Sequence, residues 1–96
     1  MTDTKSHLSR AERIEKLLRA QLSPHVFVLD DESSRHAGHA GARPGGETHY
    51  RLRIVADAFH GLSRVARQRL VYDTLREEFD TGLHALSLDL KTPAEA

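Results

Sequence analysis

The stretch THYRLRIV, residues 48–55, decides the fold, because apolar and polar side chains alternate along it. Three apolar side chains share one side of such an extended chain: Tyr50, Leu52 and Ile54. Three polar side chains share the other side: His49, Arg51 and Arg53. This period of two predicts a strand with one face against a core and the other face in water.

Two further stretches have the composition of strands. Residues 25–30, HVFVLD, are rich in β-branched and aromatic side chains, and residues 83–90, LHALSLDL, repeat leucine at alternate positions. The leucines that share one face of the second stretch are Leu86, Leu88 and Leu90. His84 has the same parity, so we expect it to point toward the core side at the end of the sheet.

Helical patterns flank these strands. Ser9 followed by Glu12 fits a capping box, and the helix that it begins is predicted to end at Ser23-Pro24. Ser63 is a suitable N-cap for a second helical region, which reaches a stop signal at Asp80-Thr81-Gly82. The apolar positions of this region are out of phase between Val65 and Leu70, which predicts two helices with a kink there rather than one helix.

These elements give an α+β fold with the order α-β-β-α-α-β, in which a three-stranded sheet carries helices on one face. We assign residues 9–91 to the domain, residues 1–8 to a disordered N-terminal tail and residues 92–96 to a frayed C-terminus. The Gly-rich stretch of residues 31–47 is predicted to be a long loop, and loops of that length are usually functional or disordered.

Composition limits the function. A chain of 96 residues makes one small domain with a modest core, so we expect a binding surface rather than an enzyme with a deep active site. Because Lys plus Arg and Asp plus Glu both number 14, the net charge is zero. The sequence lacks cysteine, which excludes disulfides and cysteine ligands within it. No apolar run approaches membrane-spanning length, so we expect no membrane association and a cytoplasmic location.

Seven histidines are the main anomaly of the composition. The candidate metal ligands among them are His36 and His39 in the loop, His49 at the start of the middle strand, and His84 near the last strand. Neutral imidazole is a good ligand for Zn, Fe, Cu or Ni, but the spacing matches no complete metal motif. Two alternatives stay open: solvated or hydrogen-bonded histidines, and a stand-alone zinc or copper site in the loop.

A second candidate site is a basic set on the predicted second helical region: Arg64, Arg67 and Arg69. Such a set could contact the phosphates of DNA, which would suit a transcriptional regulator. The zero net charge counts against the hypothesis of DNA binding, because nucleic-acid-binding domains usually carry a basic excess. The alternative is a solvated helix face, balanced by the acidic residues Asp73, Glu77 and Glu78.

Several short motifs, taken in order, resemble the BolA family over about residues 9–90. They are Glu32-Ser33 with His36, Glu47-Thr48-His49-Tyr50, Phe59-His60-Gly61-Leu62-Ser63, Arg69-Leu70-Val71-Tyr72 and Leu83-His84-Ala85-Leu86-Ser87-Leu88. The resemblance implies a fold similar to a class II KH domain, which agrees with the order of elements predicted above. It also keeps a role in transcription open.

The resemblance further implies an adaptor that binds a monothiol glutaredoxin and shares a [2Fe-2S] cluster with it, in iron–sulfur cluster trafficking or in iron and redox regulation. The partner and glutathione would supply thiols, and this chain would supply His84 and a second histidine: His36, His39 or His49. Imidazole ligands raise the reduction potential of such a cluster above that of a cluster held by thiolates alone. The isolated chain is expected to hold no cofactor and to be a monomer or a weak homodimer.

Overall fold

A computed structural model describes residues 8–32 and 49–96. The helices are α1 (Arg10–Leu22), α2 (Arg64–Thr74) and α3 (Arg76–Asp80), and a short 3₁₀ turn covers Asp57–Phe59. The strands are β1 (Val26–Asp31), β2 (His49–Val55) and β3 (Ala85–Lys91). The predicted α-β-β-α-α-β order is therefore confirmed. The predicted loop lies almost entirely outside the described residues, as do residues 1–7 of the predicted tail.

The sheet has the order β1-β2-β3, with β2 in the middle. β1 runs antiparallel to β2, and β3 runs parallel to it. Leu52 lies at the centre, beside Leu29 on one neighbouring strand and Leu88 on the other. The sheet is thus mixed, since only the β1–β2 pair is antiparallel.

The helix boundaries follow from their caps. Ser9 and Glu12 form the predicted capping box, with the Ser9 hydroxyl accepting from the Glu12 N–H at 3.1 Å and the Glu12 carboxylate accepting from the Ser9 N–H at 2.9 Å. The Ser63 hydroxyl accepts from the Ala66 N–H at 3.1 Å and so caps α2. Leu75, with φ −101° and ψ 15°, separates α2 from α3. Two helices are therefore confirmed, but the predicted position of the break is wrong, because α2 is continuous between Val65 and Leu70.

The core lies between the helices and one face of the sheet. The side chains that β2 contributes to it are Tyr50, Leu52 and Ile54, each at most 2% exposed. The helices and the 3₁₀ turn cover them with Ile14, Leu18, Leu22, Phe59, Val71 and Leu75. Arg51 and Arg53 lie exposed on the opposite face. The alternation of residues 48–55 therefore assigns the two faces of β2 correctly.

The last residues form a turn beyond β3. The Glu95 N–H donates to the Thr92 carbonyl at 3.0 Å, and Thr92 is buried. The Glu95 carboxylate pairs with Arg67 of α2 at 2.6 Å. Within residues 8–32 and 49–96, no helix is long and apolar enough to cross a membrane.

Candidate metal centre

Two histidines meet where β2 and β3 begin. The parallel register sets His49 beside Ala85, so the residue before Ala85 lies next to His49 at this end of the sheet. The ring centroids of His49 and His84 are 6.0 Å apart, and the ring planes differ by 31°. Residues 35 positions apart in the sequence thus become neighbours, because two parallel strands start at the same level.

Both imidazoles are accessible. His84 is exposed and His49 is half-buried. The expectation that His84 points toward the core side is wrong, because β3 begins only at Ala85 and the turn before it breaks the alternation. Leu83, which is 3% exposed, takes the core position instead. His84 therefore faces solvent, where a second molecule can reach it.

The distance between the rings suits two ligands of one metal ion. With metal–nitrogen bonds of about 2.0 Å and a tetrahedral angle, two imidazole centroids lie roughly 5 Å apart. The observed centroid distance of 6.0 Å is about 1 Å longer than that value. In the described parts of the chain, no three His, Cys, Asp or Glu side chains gather as a metal site. The pair thus fits a centre completed by other ligands.

The other two candidate ligands, His36 and His39, lie outside the described residues. The structure therefore brings together His49 and His84, and the choice of a second ligand among His36, His39 and His49 stays a prediction. A purely sequence-based reading could not select the pair, because its proximity depends on the parallel pairing of β2 with β3.

The basic set on α2 does not form one open surface. Arg64 and Arg69 are exposed. The Arg67 side chain is only 12% exposed, and its guanidinium is paired with Glu95. Arg67 lines a cleft of about 730 Å³ between α2 and β3, together with Leu88, Asp89 and Lys91. Because a neighbouring carboxylate already occupies Arg67, its geometry does not favour phosphate binding.

One acidic residue of α3 is buried, although the sequence predicts it on a solvated face. Glu78, expected on a solvated face, is 5% exposed and accepts charged hydrogen bonds from Arg10 and Arg13 of α1. In the sequence these residues look like ordinary surface charges. No local signal distinguishes them, because the burial arises where two side chains from the start of α1 meet Glu78 of α3.

The fold and the histidine pair define a class: a small α+β domain with a mixed three-stranded sheet, helices on one face and accessible imidazoles at one end. Residues 18–95 match the BolA-like protein family. The chain belongs to this family, and the predicted α+β fold is the one that its solved relatives share.

Individual relatives agree with this assignment. The chain is 50% identical to Protein BOLA1, chloroplastic, from Arabidopsis thaliana, a match that covers 92% of this chain and 56% of that protein. It is 52% identical to SufE-like protein 1, chloroplastic/mitochondrial, from the same plant, covering 91% of this chain and 24% of that one. The chain therefore spans about half of the first relative and a quarter of the second.

The solved structure of BolA1 from Arabidopsis thaliana superposes with a TM-score of 0.83 and 48% identity, covering 93% of this chain and 97% of that one. The names of the two plant relatives place them in chloroplasts or mitochondria. The cytoplasmic location of this chain stays a prediction.

Proposed function

We propose that this chain is a BolA-like adaptor, not an enzyme, which binds a monothiol glutaredoxin and shares a [2Fe-2S] cluster with it through His84 and a second histidine. The observation that carries the proposal is the contact between His49 and His84, whose ring centroids are 6.0 Å apart at an accessible end of the sheet. The cluster is a shared cargo in iron–sulfur trafficking or regulation.

The ligand chemistry supports a shared centre. A [2Fe-2S] cluster takes four terminal ligands, so two imidazoles would supply half of them, and the sequence has no cysteine to supply the other two. Thiolates from the glutaredoxin and from glutathione would fill the remaining positions. When imidazoles replace thiolates on one iron, the reduction potential of the cluster rises, as in Rieske centres.

The first prediction tests the ligands. The chain is mixed with a monothiol glutaredoxin, iron, sulfide and glutathione, and visible absorption and circular dichroism are recorded. We expect His84→Ala to remove or shift the bands specific to the heterocomplex, because one iron loses its imidazole. His49→Ala should do the same if His49 is the second ligand.

His60→Ala is the matched control, because His60 is an exposed histidine that is not part of the His49–His84 pair. An unchanged spectrum for His84→Ala would reject the ligand assignment. If only His49→Ala is without effect, the same measurement on His36→Ala and His39→Ala identifies the loop ligand.

A further inference from the structure

We propose that Arg10 is a positioning residue for His84: it clamps the turn between α3 and β3 and so holds the His84 imidazole beside His49. The proposal rests on the proposed function, since it concerns the ligand pair that the shared cluster would use.

The guanidinium of Arg10 reaches from the first residue of α1 to the end of α3. Its Nη1 donates to the Glu78 carbonyl at 2.9 Å and to the Thr81 hydroxyl at 3.0 Å, and its Nη2 donates to the Thr81 carbonyl at 2.9 Å. Nη1 also contacts the Glu78 carboxylate at 2.8 Å, and the two side chains are 11% and 6% exposed. Charged hydrogen bonds shielded from water in this way fix the turn relative to α1.

The clamped turn leads directly to His84. The Glu78 carbonyl that accepts from Arg10 also accepts from the Leu83 N–H at 2.9 Å. Leu83 itself is anchored in the core, at 3% exposure. The residue before His84 is therefore held on its backbone and on its side chain, which limits the directions in which the imidazole can leave the turn.

Gly82 gives an independent sign that Arg10 lies against this turn. Its φ is +129°, a conformation that L residues rarely adopt, and a Cβ placed there would lie 3.2 Å from Arg10 Nη2. The turn thus depends on a glycine both for its backbone angle and for the space that the guanidinium occupies.

Arg13 provides the contrast. It also pairs with Glu78, donating from Nε at 2.9 Å and from Nη2 at 3.0 Å to the carboxylate. Its Nη1 donates to the carbonyl of Leu8, the residue two before α1, at 2.8 Å. Arg13 therefore bonds the chain before α1, whereas Arg10 bonds the turn after α3. Loss of Arg13 weakens the same ion-pair cluster but leaves the bonds from Arg10 to Thr81 in place.

The second prediction compares Arg10→Gln with Arg13→Gln in the full chain. In the cluster-free protein, the nuclear Overhauser effect between the His49 and His84 rings should be lost in Arg10→Gln and kept in Arg13→Gln. In the heterocomplex, the glutaredoxin concentration that gives half of the cluster signal should rise roughly tenfold for Arg10→Gln only, as when a group that orients a metal ligand is removed. Denaturant unfolding of both variants shows how far each loses stability.

The proposal is overturned if Arg10→Gln folds, keeps the contact between the His49 and His84 rings and needs the same glutaredoxin concentration for half of the cluster signal. It is also overturned if Arg13→Gln changes the ring contact and that concentration as much as Arg10→Gln does. If Arg10→Gln does not fold, Arg10→Lys decides, since it keeps the positive charge beside Glu78 but lacks the guanidinium that bonds Glu78 and Thr81 together: a lost ring contact supports the clamp, and a retained one overturns it. If His84→Ala leaves the heterocomplex spectrum unchanged, the proposed function fails, while the ring contact still decides the role of Arg10.

Discussion

At the residue scale, Arg67 joins three parts of the molecule through one guanidinium. Nε donates to the Leu62 carbonyl at 3.0 Å, Nη1 to the Leu90 carbonyl at 3.2 Å, and both Nη atoms to the Glu95 carboxylate at 2.6 and 3.2 Å. These bonds hold the end of β3 and the last turn against the start of α2. The Arg67 hydrogen bonds, with a smaller effect of the Thr92 N–H, lower the pKa of Glu95 to about 2.

The third prediction follows from this pKa shift and concerns how the free energy of unfolding depends on pH. Because the folded-state pKa of Glu95 is depressed, the carboxylate adds stability above its ordinary pKa of 4.5, and that stability is lost as the pH falls toward 2. The gap in unfolding free energy between the wild type and Glu95→Gln should therefore be constant at neutral pH and should shrink on acidification through that range. Urea unfolding at several pH values measures it.

Glu77→Gln, at an exposed acidic position on α3, controls for the loss of one negative charge. A gap for Glu95→Gln that does not depend on pH would contradict the Arg67–Glu95 pair. The sequence could not predict this pair, since Arg67 and Glu95 are 28 positions apart and both look like ordinary surface charges. The same limit explains why Glu78 was expected on a solvated face.

At the scale of elements, local chemistry predicts where helices begin better than how they continue. Ser9 and Ser63 mark the starts of α1 and α2 because a hydroxyl three residues before a free N–H can cap it. The break at Leu75 has no such cap: α3 begins without a side-chain cap, and Leu75 is fully buried in the core. Local patterning therefore predicts that the helical region is divided but places the break between Val65 and Leu70, whereas the structure has it at Leu75.

The fourth prediction concerns the cap of α1. Ser9→Ala should lower the unfolding free energy by about 1 kcal/mol, the usual value of an N-cap, because the hydroxyl that accepts from the Glu12 N–H is lost. Thermal or urea unfolding followed by circular dichroism measures the change. Ser87→Ala, at an exposed position in β3, is the control and should change stability by less than about 0.5 kcal/mol. Equal effects of the two substitutions would argue against the cap.

At the scale of the whole molecule, the site depends on how the strands are paired. The alternation of residues 48–55 predicts β2 and its faces, but the parallel partnership with β3 is a long-range property. That partnership is what brings His49 and His84 together at the same end. Composition and position in the sequence reduced the seven histidines to four candidates, and the family resemblance favoured His84 but left the second ligand open among His36, His39 and His49.

The fifth prediction tests the centre of this arrangement. Leu52 is fully buried in β2 between Leu29 of β1 and Leu88 of β3, so Leu52→Ala leaves a cavity at the point where both pairings meet. We expect a loss of roughly 2–5 kcal/mol, against a total of about 5–15 kcal/mol for a typical domain, measured by urea unfolding. Arg53→Ala, the next residue on the exposed face of the same strand, should cost less than about 1 kcal/mol because its pair with Asp89 is a 4.0 Å surface contact. If the two variants lose similar stability, Leu52 is not at the centre of the core. The paired strands β2 and β3 would then not be what fixes the positions of His49 and His84.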